Sequence, residues 1–418
     1  MDFDTRRFYD RDTLANPFPL MARMRSEQPV ARTADPAGRE IFIVTEYALI
    51  DQIAKRIDDF SNDFIHLFVA GNAYPEVAAV LDRESMRVNM LLSSDEPAHK
   101  RYRALVNAVF ATGRVARLAP TIEALADELI DDFIEDGECN FVDRFAVLLP
   151  TYIIADILGL PRDKYDKVKQ WSDSILTIVG RMGSKEDEVR AAHGVVEFRR
   201  YLRETIVARR KEPHDDLLSN LVAARVDGVA PLTDEEAGAL AFEISVAGNE
   251  TTRNTLMSGL VQLLNHPDQM QALIHDDSLI DNAVEEILRY ETPASSMWRI
   301  ARRDMVLGGT AIPAGATLLL RYDGANRDPA KFSNPDRFDI RRPNARRHMA
   351  FGATGIHNCL GQMLARKELA VALRRLLGRL KNIRVAAGSD IAYQPSLMFH
   401  CIGGLHLAFD PGPRMARA

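Results

Sequence analysis

The chain has 418 residues, 46% of them hydrophobic and 27% charged, with a formal net charge of -6. That composition supports a globular protein with a sizeable core, and its acidic balance excludes bulk attraction to nucleic acid. Three cysteines (Cys139, Cys359 and Cys401) are too few for a disulfide framework and imply a reducing, cytoplasmic setting.

The N-terminal stretch Met1 to Arg7 carries mixed charge with no apolar run after it, so neither a secretory signal nor a membrane anchor is expected. No repeat, low-complexity tract or flexible linker interrupts the sequence, which predicts one domain over residues 1–418. In chain order, a strand is predicted at Ile41–Val44, then helices at Thr121–Glu135 and Glu186–Arg210, where apolar residues recur every three to four positions. The clearest helix begins at Thr233, whose capping box with Glu236 is followed by acids in the first turn; nothing stops it before Asn265-His266-Pro267. Some thirty residues would make it about 45 Å long, enough to cross a domain. A strand at Thr317–Leu320, a helix at Leu360–Leu380 and a strand at Leu405–Phe409 complete a fold that is mainly α with small β-sheets.

Three features stand out from this frame. The long helix contains Ala247-Gly248-Asn249-Glu250-Thr251-Thr252, where a glycine costs about 1 kcal/mol relative to alanine and threonine hydroxyls compete for backbone carbonyls. The hexapeptide is either a close helix–helix contact or a widening that turns an acid and a hydroxyl toward a small molecule. Glu286 and Arg289 share a helix face, and the turn Asn334-Pro335-Asp336-Arg337-Phe338 could supply Arg337 as a second cation to Glu286. Finally, the run Phe351-Gly352-Ala353-Thr354-Gly355-Ile356-His357-Asn358-Cys359-Leu360-Gly361 delivers a cysteine onto the start of a helix, where unpaired N–H groups stabilise a thiolate. Such a thiolate serves as a nucleophile or as a metal ligand.

Taken together in this order, the motifs resemble those of the cytochrome P-450 family, in its soluble bacterial branch, over about residues 16–409. The resemblance implies that fold, with the long helix over a haem b and the cysteine loop beneath it. It implies Cys359 as axial thiolate ligand of the haem iron, which favours O–O cleavage. Other implied cofactor contacts are His357, His99, Arg103 and Arg299 toward the propionates, Phe351 beside the thiolate, and Gly248 where backbone approaches the haem. Glu250 and Thr251 match the family's acid–alcohol pair for proton delivery, and Glu286, Arg289 and Arg337 a structural salt-bridge network. One departure is that Phe351 lies eight residues before Cys359, one more than the family's usual seven, with the extra residue in Ala353-Thr354.

The implied activity is a haem-thiolate monooxygenase acting with O2 on a small to medium apolar substrate. A peroxide-driven enzyme of the same fold and a non-catalytic haem protein are the alternatives. The implied pocket residues are Met86, Met90, Val246, Ala247, Ser295, Ser296, Met297, Met398 and Phe399, mostly apolar and rich in adaptable methionine. No flavin or nicotinamide domain fits in the chain, so a separate ferredoxin-type partner with its reductase is expected. Arg341, Arg342, Arg346, Arg347, Lys100, Arg101 and Arg366 are its expected docking charges.

Overall fold

Val30–Ala34 alternates covered and exposed side chains from Ala31 onward, as a strand with one face on a core does. In the computed structural model it pairs antiparallel with Glu40–Val44, which runs parallel to Thr317–Arg321; Ser296–Ala301 and the two-residue Phe60–Ser61 complete a five-stranded sheet. The structure describes all residues except 1–3, 36–37, 65–73, 85–90, 108–111, 181–183, 388, 390 and 416–418. Leu318, Leu319 and Leu320 are buried on both sheet faces, as a central strand requires. Phe42, Val44, Leu318 and Leu320 share a core with Ile50 and Ile53 of the Tyr47–Lys55 helix. A second sheet orders Glu138–Asn140, His406–Asp410 and Lys381–Val385, and Met305–Leu307 pairs with Thr310–Ile312 in a hairpin.

Contacts divide the chain into two units. One comprises residues 1–62, 123–146 and 251–418 and holds every strand just named; the other comprises residues 63–122 and 147–250 and is helical. In the helical unit Trp171 stacks on Phe198 at 4.8 Å, and Phe198 meets Phe242 at 5.8 Å. These rings join the Tyr165–Gly180 and Lys185–Lys211 helices to the long helix, a contact that aromatic area makes strongly favourable.

The predicted elements are present with small shifts at their ends: Glu40–Val44, Ala119–Phe133, Lys185–Lys211, Thr317–Arg321, Gln362–Arg379 and His406–Asp410. The long helix spans 32 residues, Asp234–Asn265. Its capping box is reciprocal, with the Glu236 N–H donating to Thr233 Oγ1 at 3.2 Å and the Thr233 N–H to Glu236 Oε2 at 2.9 Å. Arg101 then grips both oxygens of Glu236, at 2.6 and 2.8 Å, and Tyr102 donates to one at 3.1 Å. This fixes the Ala98–Asn107 helix against the start of the long one. Arg101 is therefore consumed internally, a correction to its expected docking role; its guanidinium also donates to the Ala230 and Pro231 carbonyls.

The salt-bridge network needs a second correction. Glu286 and Arg289 pair as expected, fully buried, at 2.7 and 2.9 Å. The second cation is Arg342, whose Nε lies 3.1 Å from both Glu286 oxygens, while the side chain of Arg337 is exposed. Residue 337 turns its carbonyl inward instead, accepting from Arg342 at 2.7 Å and from Arg289 at 3.3 Å. A turn that points a carbonyl at two guanidinium groups sends its own side chain outward. Arg342 is accordingly no docking charge.

Two measurements follow. Removing Arg342 as Arg342→Met leaves buried carbonyls and part of a carboxylate uncompensated, so the denaturant midpoint should fall by an equivalent of about 3 kcal/mol, whereas Arg337→Ala should stay within about 0.5 kcal/mol. The Arg101 hydrogen bonds lower the Glu236 carboxyl from its ordinary 4.5 to about 2. A depressed carboxyl contributes stability above its unfolded value that is lost as pH falls through the folded one. Stability of the parent should therefore decline between about pH 4.5 and 2, and Glu236→Gln should flatten that part of the decline.

Candidate active site

The cysteine loop is built by hydrogen bonds that converge on one carbonyl. Phe351 O accepts from the Cys359 N–H at 2.9 Å and from Asn358 Nδ2 at 3.2 Å. Gly352 turns with φ +83°, a conformation that favours glycine, and the Gly355 N–H donates back to Ala353 O at 2.8 Å. The extra residue is thus taken up in a tight turn over 353–355, and Phe351 keeps its backbone link to Cys359 despite the longer spacing. That turn is seated on the Tyr47–Lys55 helix: Thr354 Oγ1 bonds Asp51, and a Cβ at Gly355 would collide with the Ala54 carbonyl. Gln362, at the start of the Gln362–Arg379 helix, donates to the Asn358 side chain and to Cys359 O, so the loop is tied to the helix it opens.

Side chains that meet at Glu285 brace the loop on both sides. Arg366 donates to Glu285 at 2.6 and 3.2 Å and lies 4.4 Å over the Phe351 ring. His348 meets the same carboxylate at 2.9 Å, with its ring 5.7 Å from Phe351. Burial raises the Glu285 carboxyl, but His348 and Arg366 outweigh it and hold the group down at about 2. Arg366 is therefore bound to a carboxylate, which corrects its expected docking role. Arg341, Arg346 and Arg347 are exposed on this unit, Arg346 lying 3.7 Å from Glu285.

The same unit collects several of the other expected site residues. Arg299 is buried on the Ser296–Ala301 strand, donating to Trp298 O at 2.7 Å and reaching the Tyr322 hydroxyl. His357, Cys359, Met297, Met398 and Phe399 are half-buried; Ser295 and Ser296 are buried. The structure brings Ser295, Ser296, Met398 and Phe399 together: the Ser295 N–H donates to Met398 O at 2.9 Å, Ser296 Oγ lies 3.4 Å from Met398 Sδ, and Ala294 bridges Phe399. Thr251 opens this unit's share of the long helix, and its carbonyl accepts from Thr255 Oγ1 at 2.7 Å.

The helical unit holds the rest. His99 is buried, with Nδ1 3.4 Å from Glu96; burial lowers its basicity and Glu96 partly restores it. Arg103 is half-buried one turn further on, and Lys100 is exposed. Glu250 is buried, Val246 half-buried and Ala247 exposed. A Cβ on Gly248 would approach Ile154 Cδ1 to 2.8 Å, so this glycine is explained by packing against the Leu148–Leu158 helix. That is the helix–helix contact of the two readings its sequence left open. Met86 and Met90 lie outside the described residues.

Sequence reasoning missed Glu243, seven residues before Glu250 on the long helix. Its two oxygens accept the Leu91 and Leu92 N–H groups at 2.7 Å each. Burial pushes this carboxyl up to about 7 against the pull of those two donors. The spacing 243, 247, 250 is a helix-face repeat that could have nominated it. Arg342 carried no such signal, since nothing local distinguishes it from exposed Arg341.

Haem requires a soft donor, an apolar surface and cations for two propionates. The residues of the cysteine loop's own unit fit: a half-buried thiol between half-buried Ile356 and Leu360 on a braced loop, with Arg299 and His357 in the same unit.

The Cytochrome P450 family profile matches residues 170–390. A steroid C26-monooxygenase of Mycobacterium tuberculosis (strain CDC 1551 / Oshkosh) is 37% identical over 391 residues, 93% of this chain and 99% of that one. The vitamin D(3) 25-hydroxylase of Pseudonocardia autotrophica is 34% identical over 96% of this chain and 95% of its own length. The solved structure of the myxobacterial cytochrome P450 CYP267B1 in complex with myristic acid superposes with a TM-score of 0.85 at 34% identity, covering 97% and 99% of the two chains. Among the described residues no helix is long and apolar enough to cross a membrane. The chain belongs to the cytochrome P450 family and is a haem-dependent monooxygenase that uses O2 and a redox partner.

Proposed function

We propose that Cys359 is the thiolate ligand of the haem iron, that His99, Arg103, Arg299 and His357 bind the propionates, and that Glu250 and Thr251 deliver protons. The observation that carries this reading is the Cys359 loop, closed by the Phe351 carbonyl and braced by Glu285 through His348 and Arg366. Haem held there supplies the iron on which dioxygen is activated with two electrons. Everything else falls to the chain. The Cys359 N–H, committed to Phe351 O, holds the residue's backbone in one position. The buried Arg299 guanidinium offsets propionate charge that would be costly to bury alone, and the buried His99 ring offers a hydrogen-bond donor to it. Buried Glu250 and the Thr251 hydroxyl, its neighbour in sequence, would pass protons from one to the other toward the haem.

The substrate is an apolar molecule of small to medium size. Half-buried Met297, Met398 and Phe399 support this, as do the relatives' names, which specify a steroid, vitamin D(3) and myristic acid. Electrons come from an acidic ferredoxin-type protein, received at the exposed Arg341, Arg346 and Arg347. The whole chain acts as one catalytic domain in the cytoplasm. In this reading Gly248 serves helix packing, and Arg337 joins the salt-bridge network through its carbonyl alone.

Thr251→Ala tests the proton assignment. Oxygen consumption should continue while product formed per electron pair falls several-fold, the lost electrons appearing as hydrogen peroxide. Fully coupled product formation in that variant would remove Thr251 from the mechanism.

A further inference from the structure

The turn that carries Met398 and Phe399 is held at a single atom by an ionic group. Arg321 ends the central strand of the five-stranded sheet, directly opposite Ser296 in register. Its side chain is 1% exposed, and that of Asp323 is fully buried. Arg321 Nε donates to Asp323 Oδ1 at 2.9 Å and Nη2 pairs with Oδ2, while Nη1 donates to the Leu397 carbonyl at 3.0 Å. The ring of buried Phe8 lies 5.2 Å beneath the guanidinium. Asp323 is fixed in turn, accepting the Gly324 N–H at 2.8 Å and donating its own N–H to Ser295 O at 3.3 Å. The same Leu397 carbonyl accepts from Ser296 Oγ at 2.8 Å.

A guanidinium is a rigid fork, and a buried one cannot leave its partners without exposing an uncompensated charge to an apolar interior. The Leu397 carbonyl therefore cannot shift by an ångström without breaking both the Arg321 and the Ser296 bonds. The next two side chains, Met398 and Phe399, inherit that fixed position. The turn's further bonds are local or lie on its far side: the Ser295 N–H donates to Met398 O at 2.9 Å, the Phe399 N–H meets Ser396 Oγ at 3.1 Å, the His400 N–H meets Pro293 O at 3.1 Å, and the buried His400 ring lies 3.4 Å from Glu291.

We propose that the Arg321–Asp323 pair is a specificity-determining element: by holding the Leu397 carbonyl it sets how far Met398 and Phe399 reach toward the substrate. This rests on the assignment of Met398 and Phe399 to the substrate pocket. The pair touches no reacting atom and acts as a positioning device.

The test uses N-alkylimidazoles of increasing chain length on the haem-loaded enzyme. The ring nitrogen binds iron, the tail samples the pocket, and the Soret shift gives each affinity. In the double variant Arg321→Met/Asp323→Asn, which leaves no lone buried charge, the chain length of tightest binding should move and affinity for the longest tails should change about tenfold, with unsubstituted imidazole unaffected. Arg321→Lys keeps the charge opposite Asp323 but lacks the fork; it should shift the profile in the same direction, and it decides the matter should the double variant not retain haem. A profile unchanged in length dependence overturns the proposal, as does an equal change for imidazole and every tail. Met398→Phe separates the two claims. If it leaves the profile unchanged, the pocket assignment falls and the proposal with it; if it shifts the profile while the pair variants do not, only the pair's role is lost.

Discussion

Two adjacent carboxylates on one buried helix hold the segments on either side of the cysteine. Glu286 binds Arg289 of its own helix and Arg342, which precedes the loop. Glu285 binds His348, also before the loop, and Arg366, in the helix after it. Successive helix positions point about 100° apart, so the pair addresses two neighbours at once. Cys359 lies between residues 348 and 366, and both anchors meet the Glu285 carboxylate, His348 buried and Arg366 half-buried. Ion pairs of this kind add little net stability compared with apolar packing of the same volume, but breaking one is costly. Here they set where a loop without regular secondary structure must lie.

Given that frame, the loop's own bonds are short-range. The Phe351 carbonyl closes on the Cys359 N–H, Gln362 ties the cysteine's carbonyl to the following helix, and the extra residue is accommodated by a turn seated on Ala54 and Asp51. An insertion in such a loop is tolerable because the turn over 353–355 absorbs it and leaves the bond from Cys359 N–H to Phe351 O intact. The Arg366 guanidinium over the Phe351 ring makes the aromatic part of the same electrostatic structure rather than a separate packing element.

Long helices and short strands were legible because their signals are local. The Thr233–Glu236 capping box, the run of acids after it and the Asn265-His266-Pro267 stop bracket the long helix to within a residue. The cysteine loop was legible because glycine, histidine and cysteine at fixed spacing have few other uses. What failed was long-range. Arg337 and Arg342 are both arginines near a turn, and only the three-dimensional path shows that one turns out and the other in. Arg101 and Arg366 read as surface charges because their carboxylate partners lie 135 and 81 residues away in sequence. Gly248 had two physical explanations from sequence, and Ile154, distant along the chain, supplies one of them. The Arg321–Asp323 pair is nearly adjacent in sequence, yet its meaning depends on the Leu397 carbonyl 76 residues on.

The central claim is that Cys359 binds the haem iron as a thiolate. It is tested most directly by the absorption spectrum of the reduced protein under carbon monoxide, recorded beside Cys359→Ser. The parent should show the strongly red-shifted Soret band that thiolate ligation produces, and the variant should lack it. A parent protein that stays colourless when haem is supplied, or a variant that keeps the band, would contradict the account.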